Sequence, residues 1–558
     1  MAKLELGDLL AEILPKDVGI TVRHVSTTPT QCDAIFSAPP GEEPEVTYCE
    51  SHFLAVSIKA DENAGHDVLV FGMEVLVYST DRLTTLFVSK ADSTGYLHLL
   101  KAPPKLSLLR TISTTFLSYL VKTRQRPGIR LVLSLFARAQ NQYLFPGSID
   151  NSGKHVLDDR GLIKWWCRAF DPILREHEPE SSSKDKAILD QNVESAKSSA
   201  TAYLIVPGCD KFETRAFFPP SAKTDDPNRP RWVNSYPLHQ ICMNPEAPPR
   251  CLVPRFPDDP KARFLLDLDD ELPQPTEGTS SSENAGQWRS VKSLSQFWEM
   301  MAFRQECSAG RLVGFLWLVV NPPGLINSDD MAGHQTRTAK DTDGVLSSTT
   351  LPTKELAETK ETSEIPASLS DSSTAAEGTT EKPGSPEGGE DKNNSSVSIP
   401  QLSSVSESIP PSNGTGGTHA FHWPEAGRGH VVLSDSDYKS ANDCLIEQDF
   451  ETQELAVAST KTWVDKVASL ADELIWGEWV MGRKPINENS SNQSEKANLI
   501  DTGLVRKRKK EEGGTTTNTE SAAAGAESPD TTSKPDAPHA SETVNVLNAN
   551  FIRKKKKT

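Results

Sequence analysis

The sequence has no long apolar run. Among its 558 residues, no stretch approaches the roughly 20 consecutive apolar residues that a membrane-spanning helix needs. The first 14 residues alternate acidic and apolar side chains, and they lack the basic start and the apolar stretch of a secretory signal peptide. We therefore expect an intracellular chain without a membrane anchor.

Cysteine is sparse and irregularly spaced. None of the eight cysteines belongs to a C-x-x-C pair, so the sequence contains neither a zinc-ligand motif nor a dithiol redox motif. We expect free thiols in a reducing compartment and no bound metal. The phosphate-binding loop, the G-x-S-x-G elbow, the H-E-x-x-H motif and the protein kinase motifs are absent as well.

Positive charge is in deficit. The chain has 77 Asp and Glu residues against 59 Lys and Arg residues, which gives a net charge of −18. Such a surface repels DNA phosphates and attracts basic proteins, so we expect no direct sequence-specific DNA binding. Two lysine-rich runs, 506–510 and 553–557, are typical of nuclear import or of contact with an acidic partner, and a solvated tail is the alternative.

Apolar patterning predicts an α/β domain in the first part of the chain. Three β-branched, apolar runs within 53–90 indicate a meander, and 129–136 indicates a further strand. Apolar residues at helical spacing predict helices over 106–120 and 162–174. Pro172 should kink or shorten the second of these helices.

Composition divides the chain into four segments. We predict a main domain over 1–322 that ends in a capped helix over 293–307 and a buried strand. A disordered, acidic insertion rich in Ser, Thr, Pro and Gly follows over 323–432. Residues 433–482 should form helices that dock on the main domain, and 483–558 should be a disordered tail with basic clusters.

Aromatic and basic residues crowd three short strings, 142–146, 153–155 and 164–166. Such residues need polar partners when they are buried, so they are poor core material. They suit a pocket with aromatic walls for an alkyl chain and cations for phosphates. The residues predicted to form the aromatic walls are Tyr143, Trp165 and Trp166. The residues predicted to contact phosphates are Arg138, Lys154 and His155. Ordinary core aromatics and surface charges are the alternatives.

Three carboxylates lie in turns where they can serve chemistry. Asp92 follows a predicted strand, and its turn is either an Asx turn or a ligand-contacting loop with Lys90 beside an anion. Asp258 and Asp259 lie between prolines, which should hold the backbone extended and point the two carboxylates to different sides. One of them is suited to take a proton from a lysine substrate. The substrate amine is charged at neutral pH because its pKa is about 10.4. A solvated loop with Lys261 and Arg263 as partners is the alternative.

Taken in order, several motifs resemble one family, the fungal histone H3 acetyltransferase of the regulator-of-Ty-transposition family. The strings that carry the resemblance are Phe87–Asp92, Gln142–Pro146, Lys164–Trp166, Phe256–Phe264 and Ser295–Trp298. The resemblance covers roughly residues 1–320, and it resumes at 435–480 and at the basic C-terminus.

The resemblance implies a fold like that of the CREB-binding-protein acetyltransferase. This is an α/β (α+β) fold with a central mixed β-sheet surrounded by helices, and it binds acetyl-CoA. The implied substrate is histone H3, bound with H4, on lysines of the tail and of the start of the core. The implied partners are histone chaperones of the nucleosome-assembly-protein and anti-silencing types, and the implied setting is replication-coupled nucleosome assembly and DNA damage tolerance in the nucleus.

The resemblance also implies site residues. Asp92 and Trp166 fall on family positions that are needed for activity. Asp259, beside Asp258, falls on the candidate acid/base position of the family, and Lys261 falls on its autoacetylated lysine. The predicted catalytic residues are Asp92, Tyr143, Trp166, Asp258 and Asp259. The predicted acetyl-CoA site consists of Lys90, Ala91, Asp92, Ser93, Phe136, Arg138, Gln140, Lys154, His155, Val156, Leu157 and Trp165.

The motifs favour direct transfer of the acetyl group to a histone lysine. No cysteine lies in a motif that suggests an acyl-enzyme intermediate. The main alternative function is a catalytically weak, histone-binding chromatin scaffold, and an acyltransferase for a small amine is a further alternative.

Overall fold

The computed structural model describes residues 4–60, 65–100, 107–180, 197–272, 286–304, 311–323 and 420–485. All of them fall within the unit Met1–Ser490. Most of the predicted insertion and nearly all of the predicted tail, including both lysine-rich runs, lie outside the described residues. No helix in the described ranges is both long enough and apolar enough to cross a membrane.

Within these residues, eleven strands form one sheet. They are β1 (Gly19–Thr27), β2 (Thr30–Cys32), β3 (Thr47–Lys59), β4 (Asp67–Ser79), β5 (Leu83–Ser93), β6 (Arg130–Arg138), β7 (Ser199–Ile205), β8 (Trp232–Val233), β9 (Val313–Asn321), β10 (Val431–Leu433) and β11 (Glu478–Met481). Their order is β10-β1-β3-β4-β5-β6-β9-β7-β8, with β11 beside β1 and β2 beside β3. The meander β3–β4–β5 is antiparallel whereas β5 and β6 are parallel, so the predicted mixed sheet is confirmed.

Helices cover both faces of the sheet, as predicted. They are α1 (Leu6–Ile13), α2 (Leu108–Arg124), α3 (Asp159–Arg175), α4 (Lys211–Arg215), α5 (Leu238–Ile241), α6 (Ala262–Asp269), α7 (Leu294–Met301), α8 (Asp435–Ile446) and α9 (Gln453–Ala471). Because side chains alternate along a strand, Leu86 and Val88 join one hydrophobic core and Phe87 joins the other. The first core includes side chains of α1, α2, α3, α8 and α9, and the second includes those of α5, α6 and α7.

Helices α3 and α7 do not end as the sequence predicts. α3 continues through Pro172 to Arg175, so the predicted shortening is wrong. The proline removes the hydrogen bond that an N–H at this position would donate to the Arg168 carbonyl, but Ile173 and Leu174 are fully buried in the core, and this packing keeps the last turn helical. α7 ends at Met301, earlier than predicted, because its buried face ends there. Ser293 caps α7, as predicted.

The chain returns to the sheet earlier than predicted. The predicted insertion extends to residue 432, but Ala420 is already buried and β10 pairs in parallel with β1, with Val431 opposite Val25. β11 pairs with the other half of β1, and α8 and α9 pack on the first core between these two strands. A three-residue strand is too short to produce a recognisable alternation in the sequence, so the predicted boundary is placed too late.

Arg124, which forms a buried ion pair, ties residues 420–485 to α2. We call residues 420–485 the returning segment. The Arg124 guanidinium pairs with the Glu50 carboxylate, and both are shielded from solvent. The guanidinium also donates to the carbonyl oxygens of Ala426 at 2.7 Å and Gly427 at 3.3 Å, and it lies 3.3 Å from His52 Nε2. Gly427 has a φ of 86°, and a Cβ there would lie 2.4 Å from Arg124 Nη1. The segment can therefore approach the guanidinium only with glycine at this position. We call these groups the Arg124 latch.

Breaking the latch should destabilise the fold strongly. Arg124→Met leaves the buried Glu50 carboxylate without its guanidinium partner and, among the described residues, with only His52 Nε2, at 3.4 Å, so it should lower the free energy of unfolding by about 3–5 kcal/mol. Urea denaturation followed by tryptophan fluorescence measures this loss. Lys461→Met is the control, because it breaks an exposed ion pair with Asp465 that is worth less than about 1 kcal/mol. Similar losses in the two variants would contradict the role of the latch.

Mild acid should weaken the fold through the histidines beside the latch. His24 Nε2 lies 2.9 Å from His52 Nδ1, and burial lowers the pKa of both imidazoles below the ordinary value of 6.5. The unfolded state then binds more protons, so stability that is present above pH 6.5 is lost as the pH falls below it. Urea denaturation between about pH 7.5 and 5.5 should show a loss of up to about 1.4 kcal/mol per pH unit for each histidine. His24→Gln should make this loss shallower, and an unchanged slope would contradict the prediction.

Candidate active site

A cavity of about 700 Å³ opens at the carboxyl ends of β5 and β6. These strands are parallel, so their carboxyl ends meet at one edge of the sheet, and the loops that follow them converge there. The beginning of α2, the loop after β6 and the amino-terminal half of α3 complete the walls. The volume lies in the range of pockets that enclose most of a bound small molecule.

The structure brings together every residue predicted for the acetyl-CoA site. All twelve line this cavity, and the predicted catalytic residues Tyr143 and Trp166 line it with them. A further part of the wall was not predicted, and it consists of Phe71, Val88, Ser89, Leu97, His98, Leu100, Ser107, Leu108, Leu109, Leu135, Ala139 and Leu162. Most of these are apolar residues of strands and helices, and no signal in a sequence separates them from ordinary core residues.

The Asp92 carboxylate joins three walls of the cavity. Its Oδ2 accepts hydrogen bonds from the backbone N–H groups of Tyr143 at 2.7 Å and Leu144 at 3.0 Å. Its Oδ1 accepts from Lys154 Nζ at 2.9 Å and from the Ser93 N–H at 2.8 Å. Only 7% of the side chain is exposed. Since each oxygen already has two donors, Asp92 is suited to position the surrounding loops.

The ammonium of Lys154 lies where a phosphate contact was predicted, but it is already paired. Nζ donates to Asp92 at 2.9 Å and to Ser148 Oγ at 2.7 Å, and 3% of the side chain is exposed. An ammonium held by these partners supports the structure of the wall, and its contact with a phosphate stays a prediction. The two residues are 62 positions apart, and nothing in a single sequence shows that they are neighbours.

Arg138 and His155 are the accessible basic groups of the predicted set. With its amide oxygen turned toward Arg138, Gln140 accepts from Nη2 at 2.7 Å and from Nε at 3.1 Å. The Tyr143 hydroxyl donates to the Arg138 carbonyl at 3.1 Å, and His155 is exposed. These groups fit the anionic part of a coenzyme A ligand. Across the described ranges, no group of three or more His, Cys, Asp or Glu side chains is arranged to hold a metal ion.

Two indoles form the aromatic wall. Trp165 and Trp166 meet edge to face with ring centroids 4.7 Å apart, and Trp166 also packs edge-on against Phe170 at 6.3 Å. Asp158 fixes the start of α3, because its carboxylate accepts a hydrogen bond from the Gly161 N–H at 2.6 Å. The cap therefore sets which turn of α3 carries the indoles, whose faces suit an alkyl chain.

Lys90 connects the cavity to two carboxylates. Its Nζ lies 3.0 Å from Glu74 Oε2 and 3.1 Å from Asp258 Oδ2. Burial opposes the charge of this lysine, but the two carboxylates outweigh burial and raise its pKa above the ordinary value. The anion that was predicted beside Lys90 is thus supplied in this structure by the protein itself.

Asp258 is the exposed member of the adjacent pair. Its side chain is 58% exposed, and its φ of 54° lies in the left-handed region. The prediction of an extended backbone is therefore wrong at this residue, because Asp tolerates the left-handed conformation better than most side chains do. The two carboxylates do point to different sides. Asp258 does not line the cavity, but Lys90, which does, holds it at the rim.

Asp259 and Lys261 form a buried pair that does not line the cavity. The Asp259 carboxylate accepts a hydrogen bond from the Lys261 N–H at 2.9 Å and forms an ion pair with the Lys261 ammonium. This ammonium also lies 5.1 Å from the centroid of the Phe315 ring. Burial lowers the pKa of Lys261 against the opposing pull of Asp259. Asp259 was predicted as the proton acceptor, but the structure gives it a lysine partner in place of access to the cavity.

The fold and the site together define a class of protein. A mixed sheet flanked by helices, opened at one edge by a cavity with an aromatic wall and basic groups, is suited to a coenzyme A-dependent acyltransferase. A family model described as "Histone acetyltransferase KAT11-type domain" matches residues 6–130 and 126–466. The chain therefore belongs to the KAT11-type histone acetyltransferases, and it is a protein-lysine acetyltransferase.

Individual relatives agree with this assignment. The chain is 59% identical to the histone acetyltransferase rtt109 of Aspergillus flavus over 562 residues, which cover 99% of each chain. It is 32% identical to the histone acetyltransferase rtt109 of Schizosaccharomyces pombe over 316 residues, which cover 56% of this chain and 71% of the relative. The crystal structure of Rtt109 from Aspergillus fumigatus is similar with a TM-score of 0.67 and 57% identity, and covers 87% of this chain and 100% of that one. The predicted family is confirmed, and it implies acetyl-CoA as donor and histones as substrates.

Removing the charge of Asp92 should cost stability that a second substitution restores. Asp92→Asn leaves the Lys154 ammonium buried without its anion, so the free energy of unfolding should fall by about 3 kcal/mol. Asp92→Asn combined with Lys154→Met should recover most of this loss, because no unpaired charge remains. Urea denaturation measures both values, with exposed Asp150→Asn as the control. Additive losses in the double variant would contradict the pairing.

Proposed function

We propose that this enzyme acetylates lysines of histone H3, in the tail and at the start of the core, when H3 is presented together with H4. Histone chaperones of the nucleosome-assembly-protein and anti-silencing types present the histone and raise the rate. The reaction takes place in the nucleus and serves replication-coupled nucleosome assembly and DNA damage tolerance. Membership of a histone acetyltransferase family supports the activity, and the net charge of −18 supports a basic substrate.

One observation carries the proposed chemistry: an exposed carboxylate, Asp258, lies at the rim of a cavity lined by all the predicted acetyl-CoA residues. Acetyl-CoA supplies the thioester that the amine attacks. A substrate lysine arrives charged, since its pKa is about 10.4. In the proposed step Asp258, directly or through a water, takes a proton from the ammonium. The nitrogen then bonds to the thioester carbonyl carbon, the carbon–sulfur bond breaks, and the remaining surplus proton passes to the departing sulfur.

The lining of the cavity supports a direct transfer. No cysteine is among the described residues that line it, so no thiol there can carry the acetyl group as an intermediate. Cys167 lies on α3 next to Trp166, but burial raises the pKa of its thiol. A buried thiol of this kind is a poor nucleophile. Binding both substrates in one place would then supply much of the acceleration.

Lys261 remains our proposed site of autoacetylation. Its ammonium is buried against Asp259 and the Phe315 ring, so the segment around Asp258 has to open before an acetyl group can reach it. Acetylation would remove a charge that burial already disfavours. It would also leave Asp259 without its ion-pair partner, which gives the modification a way to alter the segment that carries Asp258.

An acetylation assay tests the proposed function. The full chain is mixed with acetyl-CoA and H3–H4, with and without a histone chaperone, and histones and enzyme are read by mass spectrometry. We expect acetyl groups on H3 and on Lys261, with a faster rate in the presence of chaperone. Asp258→Asn should lower the rate by roughly 100-fold or more with little change in stability, because its carboxylate is exposed. Asp259→Asn is the matched control, and it should chiefly lower stability because it leaves Lys261 unpaired.

Two outcomes would change the conclusion. Acetyl-CoA binding by calorimetry without transfer to any histone would favour the catalytically weak, histone-binding scaffold. If Asp259→Asn abolished transfer at unchanged stability while Asp258→Asn kept the rate, the proton acceptor would be Asp259 and the proposed role of Asp258 would be wrong.

A further inference from the structure

A chain of polar contacts leads from α8, in the returning segment, to the rim of the cavity. The Tyr438 hydroxyl donates to Glu74 Oε1 at 3.0 Å, and Asn442 Nδ2 donates to the same oxygen at 3.2 Å. The other oxygen of Glu74 accepts from Lys90 Nζ at 3.0 Å. Lys90 in turn lies 3.1 Å from Asp258 Oδ2. We call Tyr438, Asn442, Glu74 and Lys90 the relay.

The position of Glu74 is unusual for a carboxylate. It lies in β4 between Met73 and Val75, which are both buried, and 7% of its own side chain is exposed. A buried carboxylate is costly unless donors satisfy its oxygens. Here Tyr438, which is itself buried, and Asn442 supply donors to one oxygen and Lys90 supplies a donor to the other. An apolar residue would fill this place at lower cost, so packing alone does not account for Glu74.

A β-bulge aims the relay at the site. The register between β4 and β5 shifts at Glu74 and Val75, so that Glu74 stands opposite Lys90 while Val75 stands opposite Val88. Bulges commonly re-aim a side chain beside an active site. In this sheet the bulge sets Lys90 between Glu74 behind it and Asp258 at the rim.

We propose that Tyr438 and Asn442 are positioning residues for acetyl transfer, which act by fixing how Lys90 is shared between Glu74 and Asp258. The inference rests on the proposed function, in which Asp258 takes the substrate proton. Lys90 binds Asp258 Oδ2 and so leaves the other oxygen for the substrate. When Glu74 loses a donor, it attracts the Lys90 ammonium more strongly. Lys90 then moves away from Asp258, and the orientation of that carboxylate is lost.

The fold offers a matched control for this inference. The Tyr96 hydroxyl donates to the carbonyl oxygens of Phe450 at 3.0 Å and Glu451 at 2.9 Å. Tyr96 is buried, and it anchors the same returning segment to the sheet. Tyr96→Phe therefore removes a buried hydroxyl that docks this segment while the relay remains complete.

Steady-state kinetics on H3–H4 separate positioning from docking. Tyr438→Phe should lower kcat about tenfold, as the loss of one hydrogen bond to a charged group does. The Kd of Tyr438→Phe for acetyl-CoA should stay within about twofold of the wild-type value. The kcat of Tyr96→Phe should also stay within about twofold of the wild-type value. In an Asp258→Asn background, Tyr438→Phe should cause no further loss, because its effect passes through Asp258. An equal fall of kcat in the two Tyr→Phe variants, or a full additional loss in the Asp258→Asn background, would overturn the proposal.

Labelling of Lys90 gives a readout that does not need activity. Reductive methylation mapped by mass spectrometry should slow at Lys90 by at least about twofold in Tyr438→Phe and in Asn442→Leu, because Glu74 then holds the ammonium more tightly. Tyr96→Phe should label like the wild-type protein. If the wild-type protein transferred no acetyl group, the proposed function would be wrong. The labelling would still show whether Tyr438 and Asn442 control the contacts of Lys90. Unchanged labelling of Lys90 in both relay variants would overturn the proposal.

Discussion

The carboxylate of Asp92 is the group on which the cavity depends. Asp92 is the second-last residue of β5. Its carboxylate accepts hydrogen bonds from the backbone N–H groups of Tyr143 and Leu144 and pairs with Lys154. Tyr143 and Leu144 belong to the loop after β6, and Lys154 belongs to a second loop that precedes α3. Because an unpaired buried carboxylate would be costly, the charge itself forces the loops into register. The aromatic wall and the basic groups then face the same space.

Four acidic residues near the site share a functional group and differ in environment. Asp92 and Asp259 are buried against lysines and hold structure. Glu74 is buried against neutral donors and one lysine. Asp258 alone of these four is more exposed than buried, and it is the one that we propose as the proton acceptor. The division follows the general rule that the surroundings of a carboxylate, and not its identity, decide its role.

Much of the site could be predicted because its residues follow strands and helices closely in the sequence. Asp92 lies near the end of a β-branched strand and the two indoles lie in an amphipathic helix, so local patterning locates them. The partners could not be predicted. Periodicity reports which face of an element is buried, but it does not report what that face meets, and Tyr438 lies 364 positions from Glu74. Asp258 and Asp259 differ in exposure, at 58% and 1% of the side chain, and two flanking prolines do not determine which carboxylate is buried.

β1 takes its neighbours from distant parts of the chain: β3 on one edge, and β10 and β11 on the other. At translation rates of roughly 5–20 residues per second, β11 leaves the ribosome about 10–30 s after β9 does. During that interval the nascent chain carries an uncovered β1 edge, and Arg124 lacks its backbone acceptors in the returning segment. Uncovered edges pair readily with other chains. The newly made protein should thus be most prone to aggregate in the seconds before β10 and β11 cover this edge.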